Sequence, residues 1–76
     1  MAQSLAINEA NEQIEYAENY LAEEKLYACL LCIYEASHWL GRAEALEHNE
    51  IWDREYYAAK NRLHDLIEAV AKDYEE

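Results

Sequence analysis

The chain has no proline, no phenylalanine and no threonine, and only one glycine and one valine in 76 residues. These absences exclude a β-rich fold. Strands draw on β-branched runs bounded by turn residues, and neither is present. Long hydrophobic runs are also missing: nothing approaches the roughly 18 apolar residues that a membrane span requires. The first residues, MAQSLAINEANEQ, lack the basic region of a secretory signal. Two cysteines without such a signal point to free thiols in a reducing compartment. The expected location is the cytoplasm. Basic charge is scarce too. Six Lys and Arg face 17 Asp and Glu, a formal net charge of −11.

What remains is rich in Ala, Glu, Leu and Tyr, which favour helices or pack well between them. The sequence predicts an all-α fold, a single domain over 1–76. A chain this short buries only about 60% of its unfolded surface. A core of that size rarely supplies more than about 3–5 kcal/mol. An oligomer-forming bundle is therefore expected, with a homodimer as one partner arrangement.

Three helices are predicted, near 3–22, 24–47 and 50–74. In the first, Ile7, Ala10, Ile14, Ala17 and Leu21 repeat with the 3-4 alternation of a packed seam. Its other side carries Glu9, Glu12, Glu15 and Glu18. In the third, Asn49 is the candidate N-cap, and Glu50 and Asp53 suit the first turn. Trp52, Tyr56, Ala59, Leu63, Leu66, Val70 and Tyr74 share its apolar face.

The second helix is apolar nearly all round. Leu26, Leu30, Ile33, Ser37 and Leu40 fall on one face, and Tyr27, Leu31, Tyr34 and Trp39 on the far side. Such a helix should be covered on both sides, as the central element or at an oligomer seam. Ser37 and Gly41 would permit a close crossing, or Gly41 could end or kink the helix. The expected core includes Ile14, Leu21, Leu30, Ile33, Leu63, Leu66 and Val70. NYLAEEKLY, between the first two helices, has no Gly, Pro or capping box. One long helix plus a shorter one is therefore the alternative architecture.

Cys29, Cys32, Glu35 and His38 bear metal-ligating side chains at a constant spacing of three. A step of three residues turns a helix by 300°, so Cys29 and His38 point in opposite directions, about 13.5 Å apart along the axis. They cannot converge on one zinc, whose ligands must all lie within about 2.0–2.3 Å. A mid-helix Cys-x-x-Cys also lacks the N-terminal position that activates a thiol. The cysteines are expected to be small core residues, with no metal and no cofactor bound. Glu35 and His38 do match the Glu-x-x-His half-site of di-metal helical bundles. A second half-site would have to come from another copy of the chain. His48 is placed to cap the second helix, and His64 borders the face of the third. No nucleophile triad, phosphate loop or basic patch is present, so no enzymatic activity is expected.

The charge selects the partner. Six Glu occur before the first basic residue, Lys25. DNA, RNA and anionic membranes would be repelled as direct ligands, and a basic partner is favoured. Solubility alone needs a net charge of only about 2–8. Carboxylates spaced along a helix can stand in for phosphates. In its small size and acidity the chain resembles the small acidic phage-encoded inhibitors, among them anti-restriction DNA mimics and anti-CRISPR proteins. That resemblance implies inhibition of a basic nucleic-acid-binding protein or complex by occupation of its basic groove. The expected partner-binding residues are Glu9, Glu12, Glu15, Glu18, Glu23 and Glu24, with the aromatic residues Tyr20, Tyr27 and Tyr34. On a continuous helix those tyrosines would form one narrow stripe, unless the first and third helices cover it. The alternatives are a helical assembly or adaptor subunit that uses its Tyr/Trp surface, and a carboxylate/His di-metal protein built by oligomerisation.

Overall fold

A computed structural model describes residues 5–46 and 50–75, with side chains over 5–45 and 54–72. Asn49 and His48 lie outside the described residues, as do the side chains of Glu50, Trp52, Asp53 and Tyr74. The chain forms three helices, α1 (Leu5–Ala22), α2 (Leu26–Leu46) and α3 (Glu50–Glu75). They make an elongated bundle of 42 × 17 × 16 Å. No strand occurs among the described residues. Among the described residues, no helix is long and apolar enough to cross a membrane.

α1 and α2 are separate helices. The junction is closed by a hydrogen-bonded cap that has no glycine. The Lys25 N–H donates to the Tyr20 carbonyl at 2.8 Å, and the Glu24 N–H donates to the Leu21 carbonyl at 3.0 Å. These are the two bonds of a Schellman motif. Its left-handed residue is Glu24, at φ 60°. A left-handed L-residue costs about 1–2 kcal/mol, whereas glycine takes that conformation without a Cβ penalty. Glu24→Gly should therefore raise the unfolding free energy by about 0.5–1 kcal/mol, once glycine's greater unfolded-state freedom is subtracted. Urea melts followed by circular dichroism would read this gain. A loss of stability would contradict the cap.

The core follows the α1 seam closely. Ala6, Ile7, Ala10, Ile14 and Ala17 are all buried. α3 adds Tyr56, Ala59, Leu63, Leu66 and Val70, as its periodicity requires, while Ile67 is exposed at the edge. From α2 the buried residues are Cys29, Ala36, Leu40 and Ala43, with Leu26, Cys32, Ile33 and Trp39 packed against them. Tyr20 and Leu21 are likewise partly buried against this core.

Leu30 departs from expectation: it is exposed rather than in the core. α2 turns Cys29, Ala36, Leu40 and Ala43 inward, with Leu26, Ile33 and Trp39 packed at the margin of the core, while Tyr27, Leu30, Leu31 and Tyr34 remain outside. Alanines on both α1 and α2 leave little bulk between the two helices, so their backbones can approach closely. Counting large apolar residues therefore displaces the buried face toward Leu30, whereas its centre lies nearer Cys29, Ala36 and Ala43. Gly41 neither breaks α2 nor packs at a crossing, because a Cβ built there meets nothing within 4 Å.

Candidate functional site: an acidic face on α1 and an uncovered face on α2

The carboxylates of α1 sit three residues apart, so each lags its predecessor by 60° and the row winds across the outside of the helix. Its ends meet different neighbours. Glu18 is half-buried and receives a two-point contact from Arg62 of α3: Nε to Oε2 at 3.1 Å and Nη2 to Oε1 at 2.7 Å. That pairing, ahead of the opposing effect of burial, raises the Arg62 pKa above its ordinary value. Both side chains are substantially exposed, so the pair contributes only about 0–1 kcal/mol to stability. Its clearer effect is to remove Glu18 from the free acidic surface and tie α3 to α1.

Glu12 and Glu15 are exposed, and Glu9 is half-buried. Glu12 accepts a hydrogen bond from the Tyr16 hydroxyl at 2.9 Å. This bond raises the Tyr16 pKa, and the negative charges of Glu12, Glu15 and Glu9 add to the effect. At the end of the helix Glu23 is 3.1 Å from the Lys25 ammonium. Glu24 is exposed on the turn. The six predicted carboxylates therefore divide. Glu9, Glu12, Glu15 and Glu24 form no ion pair among the described residues, whereas Glu18 and Glu23 are partly neutralised.

The three predicted tyrosines divide as well. Tyr20 packs against the core at the end of α1. Tyr27 and Tyr34 stand on the outer face of α2, 77% and 73% exposed, beside Leu30 at 40% and Leu31 at 51%. The single stripe expected of a continuous helix does not form, because the turn at Glu24 redirects the chain. The expectation that α1 and α3 cover the stripe is also not met for Tyr27, Leu31 and Tyr34. α2 is covered on one side only.

The Cys29–His38 row resolves as the helical wheel requires. Cys29 is buried in the core, while Glu35 and His38 are exposed. Burial pushes the Cys29 thiol pKa up, with a smaller push from Cys32. Cys32 is raised by burial and by the charge of Glu35. Both shifts disfavour the thiolate, the form that acts as nucleophile or metal ligand. Among the described residues, no group of three or more His, Cys, Asp or Glu is placed to hold a metal ion. His64 is exposed on α3.

Two features of α3 were not foreseen from sequence. Arg62 reaches across to α1 rather than to carboxylates of its own helix. The buried Tyr56 donates a hydrogen bond to Glu44 of α2 at 2.9 Å and lies 5.6 Å below the Lys60 ammonium. Burial and the Glu44 contact raise its pKa. Between α1 and α3 an open groove of about 410 Å³ is lined by Asn8, Asn11, Glu55, Ala58, Ala59 and Arg62. It offers one carboxylate, two amides and an arginine already held by Glu18, and no nucleophile.

Comparison with protein-family models, with curated proteins and with solved structures finds no match to this chain.

Proposed function

We propose that the protein is a non-enzymatic acidic binding protein that occupies the basic groove of a nucleic-acid-binding protein or complex and thereby inhibits it. The observation that carries this reading is the row of Glu9, Glu12 and Glu15 along α1, without cationic partners among the described residues and with Glu24 beyond it on the turn. Closely spaced like charges destabilise a helix by a few tenths of a kcal/mol per pair. No lysine or arginine lies on α1 to relieve them. A groove lined by Lys and Arg would convert that repulsion into attraction. The rigid helix would hold the carboxylates as a spaced anionic row, as a nucleic-acid backbone holds its phosphates. Cytoplasmic location, in a host cell if the chain is phage-encoded, belongs to the same proposal.

Each exposed charge pair is worth only about 0–1 kcal/mol. Binding should thus require several pairs and weaken as salt shortens the roughly 8 Å screening length. The variant that tests this is Glu9→Gln/Glu12→Gln/Glu15→Gln. It leaves the Glu18–Arg62 contact in place, and Gln preserves helix propensity. The immobilised wild type should capture its partner from a host lysate at low salt and release it at high salt. The triple variant should capture it at least tenfold less well, with an unchanged helical spectrum. Capture by the variant equal to wild type at low salt would refute the acidic-groove reading.

A further inference from the structure

We infer that the outer face of α2 binds a second copy of this chain, giving a two-fold antiparallel helix pair centred between Leu31 and Tyr34. Tyr27, Leu31, Tyr34 and His38 follow one another at steps of four, three and four, the spacing of a helix–helix seam. All four are exposed, and Leu30 flanks them. An antiparallel mate in this register sets Leu31 against Tyr34 of the other copy, and Tyr27 against His38, twice each.

Charge selects the occupant. Between Leu26 and Leu46 only Glu35, Arg42 and Glu44 are charged, although the chain as a whole carries −11. This is the face on which two such chains approach with least repulsion. A basic partner would instead seek the carboxylates of α1. Arg42, exposed with its guanidinium 5.9 Å from the Trp39 ring, is the one cation on the helix and lies beyond the His38 end of the seam.

The area sets the strength. A fully buried aromatic side chain removes about 150–250 Å² from water. At the exposures seen, the two tyrosines and two leucines offer roughly 400–500 Å² per copy. A standard stable interface takes about 800 Å² per partner. Association should consequently be reversible, in the micromolar range. Two chains at −11 also repel at long range, so dimerisation should strengthen as salt is added. Binding of a basic partner changes with salt in the opposite sense. The inference is independent of the acidic-groove reading, and either can fail alone.

The experiment is sedimentation equilibrium on the full chain between about 1 µM and 1 mM, the span of weak association, at low and high salt. The wild type should pass from 9.0 kDa to twice that mass, with at least a severalfold smaller dissociation constant at high salt. Leu31→Glu and Tyr34→Glu alter exposed positions, so they should keep the helical spectrum and remain monomeric throughout. Tyr27→Glu, at the end of the seam opposite His38 of the other copy, should weaken the dimer as well. A wild type that stays at 9.0 kDa throughout would overturn the inference, as would a dimer that survives Leu31→Glu. A dimer indifferent to Tyr27→Glu would overturn the register, which sets Tyr27 against His38 at both ends of the seam.

Discussion

Leu66→Ala should lower the unfolding free energy by about 2–5 kcal/mol, enough to leave much of the protein unfolded at room temperature. Leu66 is only 4% exposed and belongs to the single cluster formed by all three helices. Removing three side-chain carbons loses their transfer free energy and leaves a cavity that the neighbours fill only in part. A core at this chain length supplies only about 3–5 kcal/mol in total, so the loss is a large fraction of the whole. The control is Ile67→Ala one residue along, where the side chain is 40% exposed and the cost should be much smaller. Urea denaturation followed at 222 nm would compare them. A cost below about 0.5 kcal/mol for Leu66→Ala, the level of an ordinary surface change, would contradict the packing of α3.

The second large effect lies in the alanine-rich interior of α1. Ala10 has no exposed surface, and neither do Ala17, Ala36 or Ala43. Ala10→Leu adds three carbons where the helices approach closely. Overpacking of this kind costs about 1–3 kcal/mol, and sometimes more. Leucine is nearly as good a helix former as alanine, so propensity cannot account for a loss. Ala58→Leu, at an exposed position of α3, should change stability by no more than about 0.5 kcal/mol. Thermal melts of the two variants would separate the mechanisms. If Ala10→Leu stabilises the protein, the close approach of α1 is not as described.

The elements legible in the sequence were those with a clear difference between their faces. α3 has charged residues opposite Tyr56, Leu63, Leu66 and Val70, so its buried face could be assigned by period alone. The seam of α1 was legible for the same reason, its Glu row marking the solvent side. α2 was not. Apolar residues surround it, and periodicity then carries little information about which side faces the core. The inner side was decided by closeness of approach, which favours Cys29, Ala36 and Ala43 over Leu30 and Leu31. The turn between α1 and α2 was hidden because Glu24 holds a position where glycine is the usual signal.

The candidate site was partly legible. The acidic row of α1 follows from spacing, and so does the separation of Cys29 from His38. Pairing across helices does not. Arg62 neutralises Glu18 from 44 positions away in sequence, and Tyr56 reaches Glu44 across 12. The aromatic stripe is divided by the same turn. It required one continuous helix, and Tyr20 became part of the core once the helix ended at Ala22.

The central functional claim is that the carboxylates of α1 take the place of nucleic-acid phosphates, and competition tests it most directly. The partner captured at low salt should be displaced by added duplex DNA or RNA, as expected when two anionic ligands share one basic groove. Capture that persists undiminished at saturating DNA and RNA would contradict the claim.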